Sequence, residues 1–225
     1  VIVSVHIADV GWLQVQRILF QGLDATKIPG MSYAEPAVVA PLGKRLPRPY
    51  AGRIALIAAW DDDAALDRFL DGHPFGERLA GGWYSRLEPL RCFGSWAGMP
   101  DLPTRELPMD DAEPVAALTL GRLRIMRTRS FLKSGAPAER DAVADPAVLA
   151  TTGLARLARP RLVSTFSLWR SAAAMREYAF REDGPHQAAV RADRARPFHH
   201  ESAFVRFRPY ASSGRWDGRD PLATV

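Results

Sequence analysis

One segment of this chain occurs twice, and that recurrence constrains its fold more than any other feature. Ile54-Ala-Leu-Ile-Ala-Ala-Trp60 is an apolar run of strand character, followed at once by Asp61-Asp62-Asp63 and then by Leu66, Phe69 and Leu70 at helical spacing. Val163-Ser-Thr-Phe-Ser-Leu-Trp169 repeats it, with Ser171 as a cap and Met175, Tyr178 and Ala179 at the same offsets from the tryptophan. Recurrence at fixed offsets means one supersecondary unit built twice.

The match extends in both directions. Gly72-His73-Pro74 follows the first helix and Gly184-Pro185-His186 the second. Each copy then ends in a strand, Tyr84 to Phe93 and Ser202 to Tyr210, closed by Trp96-Ala-Gly98 and Trp216-Asp-Gly218. Strands Val1 to Ile7 and Val115 to Leu120 open the copies. Helices are predicted from about Gly11 to Asp24 and from Thr128 to Val143, the second interrupted by the Ser134 to Pro137 stretch. Shorter strands near Ser32 to Ala40 and Val148 to Leu157 complete each half. The order is strand, helix, strand, strand, helix, strand, twice, which is the split βαβ arrangement of a ferredoxin-like unit.

Such a sheet has helices on one face only, so its other face must be buried, and the second copy is the available partner. The predicted fold is α+β: tandem ferredoxin-like repeats forming a single-chain dimeric α+β barrel, with the halves closing around a shared apolar chamber. Residues 1–98 form the first repeat, 99–114 a linker rich in proline and acid, and 115–225 the second repeat.

Composition excludes several classes of function. With 225 residues, 47% of them apolar, the chain can bury a large core. The formal charge is +5, but the arginines are scattered among carboxylates, which reads as a mixed solvated surface rather than a nucleic-acid site. Cys92 is the single cysteine, so there is no disulfide framework, thiolate zinc site or Cys-x-x-Cys pair. Apolar stretches such as Ile54 to Trp60 are too short to span a bilayer, and no basic-then-apolar leader opens the sequence. A cytoplasmic location with at most peripheral membrane contact is expected. No Gly-x-Ser-x-Gly elbow, Gly-rich phosphate loop, dinucleotide fingerprint or His-Glu-x-x-His helix is present. The acids of Asp61-Asp62-Asp63 are explained by helix capping and the helix dipole.

The second copy resembles the spheroidene monooxygenase family across nearly its whole length. The resemblance runs through Ala116-Ala-Leu-Thr119, Thr165-Phe-Ser-Leu-Trp169, Gly184-Pro-His186, Phe204-Val-Arg-Phe207 and Gly214-Arg-Trp-Asp-Gly-Arg-Asp-Pro221, in matching order and spacing. The first copy is more loosely similar, through Pro29-Gly-Met31, Gly43 and Ala58-Ala-Trp60. The resemblance implies a haem b enzyme, an iron-dependent monooxygenase or ketolase that inserts oxygen beside a double bond of a long apolar, carotenoid-like substrate. Electrons and O2, or a peroxide, would come from outside, and a ferredoxin is the expected donor because the sequence contains no nucleotide-binding motif of its own. Where the family carries Trp-Phe before its last strand, this chain has Pro197-Phe198 and then His199-His200. The loop Leu42-Gly-Lys-Arg-Leu-Pro-Arg-Pro is also unusually basic, and both departures are expected at the substrate entrance.

Among the histidines, His186 is the best placed to hold the iron. Pro185 suits the first turn of a helix, and a histidine there sits at the positive end of the helix dipole, which disfavours imidazolium and leaves a lone pair for metal. From the residues alone it reads first as a capping or packing histidine; the resemblance favours the ligand. His73 takes the corresponding place in the first copy and is expected as a surface turn residue. His199 and His200 point opposite ways and are expected as solvated loop residues. His6 faces either the barrel or solvent. Cys92, among Leu90, Arg91 and Phe93, reads as a small buried hydrophobe. The haem carboxylates need cations, and Arg127 and Arg206 are the expected cofactor-binding residues, with Arg161 as a further candidate. Two other functions stay open: a different haem reaction on the same scaffold, such as aldoxime dehydration, and a non-catalytic ligand-binding or haem-binding barrel.

Overall fold

The duplicated signals begin their helices in the same way. Asp62 Oδ1 accepts the Ala65 N–H at 2.8 Å, and Ser171 Oγ accepts the Ala174 N–H at 3.1 Å, each satisfying a first-turn amide that has no partner within the helix. The computed structural model describes residues 1–41, 50, 52–100, 102–156 and 161–223. The first copy comprises β1 (Ile2–Asp9), α1 (Trp12–Gln21), β2 (Met31–Val39), β3 (Arg53–Trp60), α2 (Asp63–Gly72), α3 (Pro74–Ala80) and β4 (Trp83–Gly94). The second comprises β5 (Val115–Leu123), α4 (Thr128–Ala144), β6 (Val148–Arg156), β7 (Leu162–Trp169), α5 (Ala172–Phe180), α6 (Pro185–Ala195) and β8 (His199–Ser213).

All strand pairs are antiparallel, and the order β1-β3-β2-β6-β7-β5-β8-β4 closes into a barrel. Each copy contributes four strands in the ferredoxin-like order. The halves join along a long seam, from Tyr84 opposite Ser213 to Gly94 opposite Ala203, and a short one, Val38 opposite Ala155 and Val39 opposite Leu154. A closed sheet leaves no edge to pair with other chains.

Three expectations change. A helix expected only at Pro185 has a counterpart in the first copy, so each copy has a third helix, α3 or α6, starting at the proline after its Gly-containing turn. Helix α4 runs unbroken through Pro137, because a proline removes one internal hydrogen bond but does not end a helix held on both sides. Tyr178 Oη donates to Ala138 O at 2.7 Å and fixes the turn just beyond it. The barrel interior is packed rather than hollow: Trp83, Phe166 and Trp216 form a ring cluster with centroids 5.3–6.2 Å apart, among Leu87, Leu118 and Phe207. The Leu42 to Pro49 loop, Gly43 and Leu157 lie outside the described residues.

One end of the barrel holds a buried ionic group. Glu35, 2% exposed, is approached by Arg122 Nη2 at 3.1 Å and Arg156 Nη2 at 2.5 Å and accepts from Tyr33 Oη at 2.9 Å. Trp96 Nε1 donates to the same tyrosine oxygen at 2.6 Å, and the Arg122 guanidinium lies 4.1 Å over the Trp96 ring. Truncating one partner of a buried pair strands the other charge, so Glu35→Ala is expected to cost about 3–5 kcal/mol in denaturant unfolding. A loss below about 1 kcal/mol would mean that the arginines reach water.

His6 faces neither the barrel nor solvent. It is fully buried between the first sheet and its helices, shares a hydrogen bond with Ser4 Oγ at 2.8 Å and stacks on Tyr84 at 5.2 Å. Burial, helped by the Arg86 charge, lowers its pKa to about 3. The unfolded chain therefore binds one more proton than the folded one between pH 6.5 and about 3. Stability is full above that window and is expected to fall on acidification by about 1.4 kcal/mol per pH unit inside it. Urea melts at stepped pH check this, and the slope is expected to flatten by one proton in His6→Gln.

Candidate functional site

The helix layers of the two copies follow one plan and are filled differently. On the outward face of the first sheet, Ile54, Leu56, Ala58 and Trp60 meet Leu66, Phe69 and Leu70 of α2 and Phe75 and Leu79 of α3, all buried in one apolar cluster. Counting back from the matching tryptophan, the second copy has Val163, Thr165 and Ser167 in place of Ile54, Leu56 and Ala58. Beside them lie Ala117 and Thr119 of β5, in register with Ser167 and Thr165, and above them Gly135, Ala138 and Ala142 of α4. Side chains this small leave the space between sheet and helices unfilled.

The result is a cleft in two connected parts. An inner hollow of about 190 Å³ ends at Trp169, Met175 and Tyr178. An outer one of about 440 Å³ opens past Phe93, Phe198 and Arg194. Thr119, Phe131, Gly135, His186, Ala189 and Phe204 line both. Pockets of about 300–1,000 Å³ with apolar walls and a few polar groups are where proteins hold cofactors and substrates. The cleft is built almost wholly from the second half, with Phe93 and Gly94 of β4 at its outer edge, so the expected chamber shared between halves is replaced by an interlayer slot outside the barrel.

His186 stands where the first copy has a phenylalanine. Trp60, Phe69 and Phe75 form a chain of rings at 5.1 and 6.4 Å; Trp169, Tyr178 and His186 reproduce it at 4.8 and 5.5 Å. His73 is therefore not the counterpart of His186. It caps α3, its Nδ1 accepting the Phe75 N–H at 3.2 Å. His186 follows Pro185 in the first turn of α6, and neither imidazole nitrogen hydrogen-bonds to another described residue. Burial lowers its pKa, so the ring is neutral and keeps a free lone pair.

Neither predicted arginine lines this cleft. Arg127 donates from Nη2 to Arg196 O at 3.1 Å and lies 5.6 Å from the centre of the Phe198 ring. Arg206 is directed under the linker, where Glu106 holds it at 2.6 Å beside a separate hollow of about 430 Å³. That pairing spans a hundred residues of sequence, and no local pattern announces it. Arg161 contributes its carbonyl, which accepts from Arg122 Nη1 at 3.4 Å.

Two cleft residues escaped the sequence reading. His199 is not a solvated loop residue: it packs against Phe131 at 5.4 Å and lies over Gly121, where a Cβ would come within 2.4 Å of its ring. It lines the outer hollow with His186, and Asp193 Oδ1 lies 3.5 Å from its Nδ1. Glu139 brings a carboxylate to the inner hollow, on the α4 face that carries Gly135 and Ala142. The small residues spaced along that face were the available signal. His200 is exposed, and Cys92 is half-buried against the barrel cluster, its thiol pKa raised by burial.

The slot fits a flat prosthetic group. It has a floor of short side chains, aromatic walls, a neutral imidazole with no hydrogen-bond partner among the described residues, and Arg194 at its mouth. Among the described residues no cluster of three or more His, Cys, Asp or Glu side chains could hold a bare metal ion.

No family model matches the chain. The spheroidene monooxygenase of Rhodobacter capsulatus is 31% identical over 183 residues, covering 79% of this chain and 75% of its own length. That of Rubrivivax gelatinosus is 32% identical over 176 residues, covering 76% of this chain and 66% of its own. The matching region takes in more than three quarters of this chain, and on this similarity the chain belongs to the spheroidene monooxygenase family, a group of oxidoreductases.

Proposed function

We propose that the protein is a haem b monooxygenase acting on a long apolar, carotenoid-like substrate. The observation that carries this reading is His186: a neutral imidazole, without a hydrogen-bond partner among the described residues, in the wall of a flat apolar slot. His186 would hold the iron, and Arg194 at the mouth would pair with the haem carboxylates in place of Arg127 and Arg206. When bound, haem supplies the activation of oxygen.

The rest falls to this chain's own residues. Phe131, Phe198 and Phe204 keep water from the slot and present an apolar surface to a hydrocarbon substrate. Thr119 and Thr165 offer the floor's hydroxyl groups. The inner wall of Trp169, Met175 and Tyr178 stops anything entering from the mouth. The electrons that a monooxygenase consumes come from an external donor, for which we propose a ferredoxin. Titration with hemin, followed by absorption spectroscopy, tests the cofactor. Product analysis with a carotenoid and with an aldoxime tests the reaction, and aldoxime dehydration without carotenoid oxidation would overturn it.

A further inference from the structure

The mouth of the slot carries a surface feature that the chemistry inside does not use. The 3-10 turn Ile125–Arg127 leaves Ile125 56% and Met126 92% exposed. It is firmly held to the cleft's rim. Arg124 donates from its backbone N–H to Phe198 O at 2.9 Å and from Nε to His199 O at 2.9 Å, and Arg127 donates to Arg196 O. The two apolar side chains are thus a knob on a rigid rim, beside the opening formed by Phe198, His199 and Arg194.

Cations share the rim with the knob. Arg124, Arg129, Lys133, Arg194 and Arg196 are exposed, and none forms a salt bridge with a carboxylate among the described residues. Some arginines elsewhere are matched, such as Arg53 with Asp9 and Asp217, Arg86 with Asp63 and Asp67, and Arg208 with Glu88 and Glu113, while others, such as Arg68, Arg78 and Arg140, have no carboxylate partner among the described residues; what sets the rim apart is the pairing of its cations with the exposed Ile125 and Met126. Asp193 is the acid at the rim, and it is turned toward His199 and the Phe198 N–H. An exposed methionine and isoleucine on a rim that also carries unmatched cations suit a surface that is negatively charged outside and oily just beneath. Helix α1 also exposes Trp12, Leu13 and Phe20, and among the described residues Arg17 is the cation it carries. Among the described residues no helix is long and apolar enough to cross a membrane.

We infer that this rim is a peripheral docking surface for an anionic lipid bilayer, with Met126 and Ile125 inserted at the headgroup level and the slot opening onto the membrane. The inference deepens the function proposed above and rests on it only for what passes through the mouth. Lipid binding needs no haem, so the two ideas fail separately.

The test is co-sedimentation of the protein, with and without bound hemin, with phosphatidylcholine vesicles containing or lacking 30% phosphatidylglycerol. Binding to the anionic vesicles alone, weakened by salt, is expected. Arg129→Glu and Arg196→Glu should each lower the partition coefficient about fivefold or more, the effect of removing one cation at such a surface. Met126→Asp should lower it at least as far while hemin uptake is unchanged, which shows an intact fold. Equal binding to both vesicle types, no binding at low salt, or a loss produced by Leu13→Asp on α1 and not by Met126→Asp would overturn it. So would vesicle-independent capture of an acidic ferredoxin that the arginine variants abolish, since the rim would then be a protein interface.

Discussion

Replacing His186 with alanine is expected to abolish the haem spectrum and the oxygenase activity together. Residues that merely orient a metal ligand typically cost about 10–100-fold when removed, and a sole ligand should exceed that. The prediction follows from the absence of competition for the ring: no hydrogen bond to a described residue holds either nitrogen, and burial keeps it neutral. His186→Gly sharpens the test, because added imidazole should enter the vacated space and restore part of the Soret absorbance. Circular dichroism should stay unchanged in both variants, since the first turn of α6 keeps Pro185. A His186→Ala protein with a full Soret band would transfer the ligand role to His199, which lines the same outer hollow.

Much of this architecture was legible because its signals are local. Strand periodicity, the tryptophans Trp60 and Trp169, and the caps Asp62 and Ser171 each depend on a few consecutive residues, and together they specify the repeat and hence the barrel. The position of the cavity was not legible in the same way. Whether a layer fills depends on the summed volumes of side chains from several elements, so the swap of Leu56 for Thr165 acquires meaning only beside Gly135, Ala138 and Phe204. His186 stood out by its helix position, whereas its counterpart was misassigned to His73 because two extra residues separate Tyr178 from His186. Arg206 lies away from the cleft for a reason no local pattern could show: its partner, Glu106, lies in a linker that folds back over β8. His199 looked exposed because adjacent histidines on a strand point apart, and nothing in the local sequence shows Gly121 lying beneath one of them.

If the slot exists because the second copy carries small residues where the first carries large ones, then restoring the large ones should close it. The double variant Thr165→Leu, Ala189→Leu puts leucine on the floor at the position equivalent to Leu56 and on the facing side of α6. Each added methylene that finds empty space contributes about 0.8 kcal/mol, and filling a natural cavity commonly yields about 1 kcal/mol net. For a chain of this size that corresponds to a rise in the apo protein's melting temperature of about 2–4 °C. Hemin affinity and activity should fall more than tenfold, because the filled layer no longer admits a planar ligand beside His186. Stability and function would thus move in opposite directions, as expected where a hollow is kept for use. The discriminating measurement is the melting temperature without hemin. A drop, the signature of overpacking, would mean that the helices already close the layer in solution and that the haem has to sit elsewhere.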